Sequence, residues 1–473
     1  MSEKKNMSRR DFIRDASRAA AGITAGMAVA QAARADVFKS ILPQTIVGAN
    51  EKIRTGHIGI GGMGKRDLQF AMMRGDIQPI AICDLLEVNR NYGVQIVTGD
   101  TEKNYAAPST HTYFEEVIAN KNVDAVVIVT PDHWHTIPTL MACEAGKDVY
   151  VEKPLTTCIA EGRPIIDAVR KNKIVLQCGN FQRSGPHFQE AVQMIKEGYI
   201  GQVARCETWI HDYEKPEGIG NPPDEAVPTS PSYNMPVTGL DWDRYIGWTK
   251  KVPYNPNRFI YNFRWFLDYS GGKVTDWGAH LMDIVLWAMG EENKPKTVTA
   301  AGGKFVLKDN RTTPDTLDVL YEFDNYVMSF SNRVFNGYVA RNRHGIAFYG
   351  TKGVLFVDRM GYEVVPDPKG DLQPKAVKDV MEADMNKAHW ANFAECVRSR
   401  KDPIAFVESA YNTANICHMG TTAFVSGGKL GWDAKTEHFT GTDEAAVKKA
   451  NDWAYREYQN GWSLGKPHYK DWA

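Results

Sequence analysis

The sequence predicts an α/β chain, with an N-terminal region on a parallel sheet followed by a longer C-terminal α+β region with a large open, mostly antiparallel sheet. Three observations carry this. From about Lys52 to Gln177, short apolar runs alternate with amphipathic helical segments, as in a parallel sheet with crossover helices. Between Thr297 and Val357 strand-like runs follow one another directly. The chain has 473 residues, 43% hydrophobic and 24% charged, which suits two or three domains and excludes a disordered or fibrous chain.

Residues 1–35 stand apart. Ser8-Arg9-Arg10-Asp11-Phe12-Ile13 precedes an Ala/Gly-rich apolar run, Ala19 to Ala33, and the segment ends Ala33-Arg34-Ala35. A charged region, an apolar region and an A-x-A site are the anatomy of a secretory signal. The paired arginines resemble a twin-arginine export signal, which implies the twin-arginine export machinery as a partner and a periplasmic or otherwise exported destination. An amphipathic N-terminal helix is the alternative, and the segment could be cleaved or kept as an anchor. The whole chain holds 56 Lys/Arg and 57 Asp/Glu, a formal charge of −1. Residues 1–35 hold seven Lys/Arg and three Asp/Glu, so the remainder carries −5, without the basic excess of a nucleic-acid binder. The seven cysteines are odd in number and form no C-x-x-C pair, so they read as buried small hydrophobes.

In the first region, taken as residues 50–178, strands are expected at Arg54–Ile60, Ile77–Cys83, Ala125–Thr130, Asp148–Val151 and Ile174–Cys178. Helical patterns fall at Lys65–Arg74, Tyr113–Ala119, Thr136–Ala145 and Ile159–Lys171. The second region, residues 179–473, begins with a helix around His187–Glu197 and a strand at Val203–Ile210. Asp212 to Tyr269 is irregular, but Trp242, Tyr245, Trp248, Tyr254, Phe259, Tyr261, Phe263 and Trp265 argue for order. A helix at His280–Met289 precedes strands at Thr297–Phe305, Thr316–Phe323, Tyr326–Val334, Ile346–Gly350 and Gly353–Val357. Helices at Ala388–Arg400 and Val407–Phe424 follow.

Gly59-Ile60-Gly61-Gly62-Met63-Gly64 matches G-x-G-x-x-G between the first strand and a helix. Its glycines allow a tight turn, close approach of a pyrophosphate and close helix–strand packing, which is the dinucleotide fingerprint of a Rossmann domain. Asp84 ends the next strand, twenty residues after Gly64, where a carboxylate accepts from ribose hydroxyls. An acid there disfavours a 2′-phosphate, so NAD is expected rather than NADP. A Gly-rich turn without a ligand is the alternative.

Further motifs carry a family resemblance. They are Thr130-Pro131-Asp132-His133-Trp134-His135, then Glu152-Lys153-Pro154, then Gly271-Gly272-Lys273-Val274-Thr275-Asp276-Trp277-Gly278-Ala279-His280 with Asp283 beyond. With the Gly-rich loop, the set resembles the Gfo/Idh/MocA oxidoreductases, which include glucose–fructose oxidoreductase and inositol dehydrogenase. The resemblance runs from about Lys52 to the C-terminus. It implies a substrate held over the nicotinamide between two domains, and a homo-oligomer (dimer or tetramer) made through the large sheet. Lys153 is similar to the family's active-site lysine, and Asp276 and His280 to its D-x-x-x-H pair. Thr130, Pro131, His135, Glu152 and Asn180 would lie near the cofactor, and Gln182 and Arg183 near nicotinamide ribose or substrate.

Chemistry supports these roles. Alcohol oxidation needs a base titrating near working pH, which suits His280. Asp276 and His280 are four apart, so a helical start would let the carboxylate orient the imidazole. Lys153 can hold developing alkoxide charge. Its bland reading is a surface lysine before a turn proline, and that of His280 a core histidine. His133 and His135 imitate a metal cluster, but no Cys or carboxylate sits at ligand spacing, so no metal is expected. Asp283 either faces the cleft or caps structure. His389 and His418 are assigned no role. Arg264 and Trp265 could line a pocket, and 12 Trp and 20 Tyr suit a carbohydrate or polyol substrate.

Export limits access to free NAD, so retained NAD recycled within each cycle is expected. That allows hydride exchange between sugars, or cleavage of a glycoside through a keto-sugar. The D-x-G-x-H site looks like the dehydrogenase branch. A non-catalytic sugar-binding relative is the alternative that Lys153, Asp276 and His280 together oppose.

Overall fold

The computed structural model describes residues 51–226, 229–230, 235–236, 239–337 and 342–464. The expected export signal lies outside the described residues. Six strands, β1 (Ile53–Ile58), β2 (Ile77–Cys83), β3 (Ser109–His111), β4 (Ala125–Ile128), β5 (Asp148–Val151) and β6 (Leu176–Cys178), pair in parallel in the order β3-β2-β1-β4-β5-β6. Every residue of β4 and β5 is buried, as a sheet covered on both faces requires. The crossovers are α1 (Gly62–Met73), α2 (Glu87–Thr98), α3 (Phe114–Ala119), α4 (Thr136–Glu144) and α5 (Gly162–Asn172). Strand order reverses between β1 and β4, which opens a crevice at the strands' carboxyl ends. Gly59, Asp84, Thr130, Glu152, Lys153 and Asn180 all follow directly or closely on those ends.

After α6 (Pro186–Lys196) and β7 (Val203–His211) comes the aromatic stretch. Among the described residues it holds a two-stranded pair, β8 (Thr229–Ser230) with β9 (Met235–Pro236), a short helix, α7 (Trp242–Ile246), and 3-10 turns at Pro256–Arg258 and Ile260–Trp265. Tyr245, Tyr254, Phe259, Trp265, Phe266 and Tyr269 pack there with Leu86 of the first region and with Leu307 and Val334. The order expected from the aromatic load is therefore real, and it is made by burial of rings rather than by regular backbone. Two helices, α8 (Lys273–Asp276) and α9 (Gly278–Met289), then lead to β10 (Thr297–Gly303), β11 (Thr316–Glu322), β12 (Val327–Arg333), β13 (His344–Gly350), β14 (Gly353–Asp358), β15 (Gly361–Pro366) and β16 (Lys375–Val377).

The chain closes with α10 (Glu382–Ser399), α11 (Val407–Ser426), β17 (Leu430–Asp433), β18 (His438–Thr440) and α12 (Glu444–Ala454). Ten strands form the second sheet in the order β16-β15-β14-β13-β7-β12-β11-β10-β17-β18, antiparallel throughout except where β7 meets β12. In β11, Leu317, Val319 and Tyr321 point inward while Asp318, Leu320 and Glu322 are exposed, the alternation of a sheet with one covered face. Helices α9 and α11 cover that face, and α9 is buried nearly all round because its sequence is apolar nearly all round.

Helix α10 does not stay with the second sheet. Trp390, Phe393, Ala394 and Val397 enter the core of the first, beside Ile53, Val127 and Tyr150. The rings of Tyr150 and Trp390 stack at 4.3 Å. The two sheets are thus joined by a helix that lies some 240 residues downstream of Tyr150 in sequence. The strands β3 and β15 to β18 and the helices α2 and α12 were not expected; most of these strands are short, and α2 mixes β-branched residues with Gly93. Trp390→Ala should lower stability to chemical denaturation by about 3–5 kcal/mol, whereas a loss below about 1 kcal/mol would show that α10 is peripheral to this core.

Candidate active site

The Gly-rich turn forms a cradle. A Cβ on Gly59, at φ +89°, would meet Val129 O at 2.5 Å, and one on Gly64 would meet Gly59 O at 2.0 Å. Strand β1, strand β4 and α1 therefore approach too closely for a side chain. Above Gly61 and Gly62 the space is open, with nothing within 4 Å of a Cβ. No acid occupies the first turn of α1, so its N-terminal N–H groups face that space without a competing carboxylate. Met63 is half-buried beside it. The carboxylate of Asp84 accepts from Ile60 N at 2.8 Å and Leu86 N at 2.8 Å, which fixes it at the rim. Thr130 Oγ1 is buried without a partner just past β4, and Pro131 is half-buried next to it. Open space over paired glycines, an anchored acid and an orphaned hydroxyl fit a dinucleotide.

Lys153 ends the crevice. Its Nζ lies 2.8 Å from Asp276 Oδ1 and 3.1 Å from Asp276 O, so the end of β5 is tied to α8. An Nη1 of Arg264 lies 2.9 Å from Asp276 Oδ2, and Lys273 Nζ lies 4.0 Å from the same oxygen. Burial would raise the Asp276 carboxyl, but Arg264, Lys153 and Lys273 outweigh it and hold Asp276 well below the usual carboxylate range. Burial likewise opposes the charge on Lys153, yet Asp276 and Glu152 keep it raised and cationic. Glu152 is pushed upward, chiefly by burial, and its Oε1 has no partner. Asp132 is also raised by burial, and its Oδ2 accepts from Ser270 Oγ at 2.5 Å.

The structure corrects two expectations for His280. Asp276 does not orient its imidazole, because α8 ends at Asp276 and both carboxylate oxygens are taken by Lys153 and Arg264. His280 Nδ1 is buried without a partner, with its ring 5.1 Å from that of Phe181 and 6.3 Å from that of Trp277. Nor does the ring titrate near working pH. Burial, with Lys153 and Arg359 nearby, pushes it well below its ordinary value, so it is neutral at pH 7.

Arg359, in the β14–β15 turn, was not anticipated. Its guanidinium sits 4.8 Å from the Phe181 ring and 4.5 Å from the Trp277 ring, the same rings that flank His280. It reaches Gln182 Oε1 at 3.3 Å and Glu382 Oε2 at 3.1 Å. An arginine in a tight turn reads as solvated, and nothing local in the sequence announces this long-range placement.

Other expected residues lie around or beneath the cleft. Asn180 Nδ2 donates to Ala279 O at 2.7 Å, joining the β6 end to α9. Gln182 Nε2 is buried without a partner. The expected substrate contact by Arg183 is corrected: its guanidinium is buried against Asp283 at 2.8 Å and Glu291 at 2.5 Å, with Asp283 also accepting from Thr413. That also places Asp283 in structure rather than in the cleft. Trp265 is a buried floor under Lys273 and Arg311, at 5.3 Å and 4.5 Å. His135 is buried, its ring nitrogens 2.6 Å from Pro154 O and 2.9 Å from Thr130 O, so it joins two crevice loops. His133 is packed among Trp134, Tyr245 and Tyr269.

Comparisons with known proteins agree with this geometry. The family model described as "Oxidoreductase family, NAD-binding Rossmann fold" (GFO_IDH_MocA) matches residues 53–180, and that for the family's "C-terminal alpha/beta domain" matches residues 229–459. The chain is 26% identical over 332 residues to scyllo-inositol 2-dehydrogenase (NAD(+)) of Bacillus subtilis, covering 68% of this chain and 81% of that one. It is 25% identical over 249 residues to an uncharacterized oxidoreductase of Streptococcus pneumoniae, covering 52% of this chain and 54% of that protein. It is 28% identical over 222 residues to an alpha-N-acetylgalactosaminidase of Shewanella oneidensis, covering 44% of this chain. The chain thus spans about half the length of several of the curated relatives it matches, 47% in this last case. Levoglucosan dehydrogenase, solved with NADH and levoglucosan, superposes with a TM-score of 0.60 at 17% identity, over 80% of this chain and 99% of that one.

Because protonation of His280 is opposed by burial and by two cations, kcat/KM should hold through the ordinary imidazole value of about 6.5 and fall only at lower pH. Arg359→Gln removes one cation and should move that acid limb upward. A wild-type limb at or above the ordinary value, or one unmoved by the substitution, contradicts the assignment.

Proposed function

Because the chain belongs to the Gfo/Idh/MocA oxidoreductases, a family of NAD-dependent enzymes acting on CH–OH groups of sugars and polyols, we propose that it oxidises a hydroxyl of a sugar, polyol or glycoside with tightly held NAD that is recycled within the cycle. The observation that carries this reading is the placement of Lys153, a half-buried ammonium at the crevice edge, near enough to the neutral His280 to disfavour its protonation. When bound, NAD supplies the hydride acceptor. Gly59 to Gly64, Asp84 and Thr130 would hold it, with Glu152 and Asn180 at the adjoining strand ends.

Lys153 Nζ binds the oxygen of the reacting alcohol and stabilises negative charge as the O–H bond weakens. His280, neutral and with its ring free of hydrogen bonds among the described residues, takes the proton. Asp276 keeps Lys153 charged and aimed, and Arg264 keeps Asp276 ionised. Retained NAD suits the export that residues 1–35 suggest, since a secreted enzyme cannot draw on a free cytoplasmic pool. The exposed outer face of the ten-stranded sheet suits a homo-oligomer.

A second reading is glycoside cleavage, favoured by similarity to the alpha-N-acetylgalactosaminidase. There a transient ketone acidifies the neighbouring C–H, the glycosidic oxygen leaves by elimination, water adds, and the hydride returns to the sugar.

The reading is tested on protein as isolated, without added NAD, incubated with sugars and glycosides deuterated at the ring carbons. Bound dinucleotide is expected, with product analysis giving a ketone, a label exchanged between sugars, or a cleaved glycoside according to the route. Lys153→Ala should lower turnover by about 10²–10³-fold while dinucleotide stays bound. Protein that neither contains nor binds a dinucleotide sinks the enzyme reading.

A further inference from the structure

The charges around Asp276 do not balance. Lys153 and Arg264 occupy its two oxygens, at 2.8 and 2.9 Å. Lys273, buried to 7% exposure, stands 4.0 Å from the already shared Oδ2 and finds its nearer partner in Asp212, at 3.0 Å. Asp212 is itself shared with Arg343. Arg343 is solvated, so three largely buried cations, Lys153, Arg264 and Lys273, face the two carboxylates. The next acids relieve this only in part: Asp309 and Glu214 pair with Arg311, Glu214 also favouring the charge on Lys273, and burial pushes Asp132 and Glu152 upward although Glu152 favours the charge on Lys153. Lys273 is accordingly lowered, by burial first and by Arg264 among its neighbours, although two carboxylates lie near it. Oxidised nicotinamide would add one more positive charge.

Uncompensated buried charge is costly, and a site retains it where a ligand supplies the counter-charge. The donors are directed as well as numerous. Arg264 donates Nε to Tyr261 O at 2.9 Å and an Nη1 pairs with Asp276, which leaves its Nη2 without a hydrogen bond among the described residues. It lies 4.4 Å from the ring of Tyr261, which is 57% exposed. Tyr261 follows Ile260, a β-branched residue held at φ +44°, a backbone region such residues avoid. A strained turn thus presents an open aromatic face with a guanidinium beside it, the pairing that suits a sugar ring bearing an acid group.

We propose that the sugar taken by this site carries a carboxylate, as a uronic acid or its glycoside does, read by Lys273 and Arg264. This rests on the reading of the site as an NAD-dependent sugar oxidoreductase. The test is calorimetric titration of NAD-loaded protein with matched pairs: glucuronate against glucose, galacturonate against galactose, and the corresponding methyl glycosides, with a hexose phosphate as a further arm.

The acid of at least one pair should bind about tenfold or more tightly than its neutral partner, a difference of about 1.4 kcal/mol. The ratio should shrink as salt rises, and Lys273→Met should bring it toward one. If that variant does not fold, the wild-type ratios and their salt dependence decide. Equal affinity within every pair, or no binding by any acid, overturns the inference, as does a hexose phosphate bound more tightly than every carboxylate. Protein that loads NAD and oxidises a neutral sugar without preferring the acid overturns only this inference; protein that cannot be loaded with NAD overturns the underlying reading.

Discussion

The carboxylate of Asp276 is gripped from two directions, by Lys153 at the end of the parallel sheet and by Arg264 from the aromatic stretch. All three groups are largely removed from water. Bringing such charges together costs desolvation that their attraction repays only when the geometry is good and every partner is present. Loss of one member leaves a buried charge unbalanced, at a cost of about 3–5 kcal/mol. Asp276 is therefore both the tie between the two sheets at the crevice and the reason Lys153 stays protonated there. A single constraint positions the lysine and, with Glu152, favours its charge.

The protonation pattern follows. Burial between Phe181 and Trp277 disfavours a proton on His280 first, and the positive charge of Lys153 and Arg359 adds to that. An imidazole kept neutral is ready to accept a proton, though as a weaker base than one titrating near neutrality. Its acceptor strength must come from the alcohol, whose acidity rises when Lys153 stabilises the alkoxide. The cationic lysine and the neutral histidine thus work as one unit, and Arg359, through the rings it shares with His280, belongs to that unit too.

The parallel sheet was legible because β4 is an unbroken apolar run, because Val149 to Val151 of β5 continue that pattern, and because Gly59 to Gly64 sits where a strand turns into a helix. The antiparallel strands β11 and β12 were legible from their alternation, whereas β16 and β18, three residues each, carry too few positions to show it. At the site, residues in contiguous motifs could be named in advance: Lys153, Asp276 and His280. Their mutual geometry could not. Four-residue spacing suggested an Asp276–His280 pair, but the helix breaks at Trp277 and long-range cations claim the carboxylate. Arg183 and Arg359 were misjudged or missed for the same reason, since a flexible cationic side chain is placed by partners distant in sequence. Trp390, which completes the first core from far along the chain, shows the same limit for packing.

The central claim is that Asp276 sustains hydride transfer by holding Lys153, without touching the cofactor cradle. The most direct measurement is single-turnover deuterium transfer from a labelled sugar to the nicotinamide, followed by mass spectrometry, in wild type and Asp276→Asn loaded with NAD. Retained NAD in both proteins, with transfer in the variant slower by at least about 10²-fold, is the expected result. Transfer at the wild-type rate in a folded, NAD-loaded Asp276→Asn protein would contradict the account.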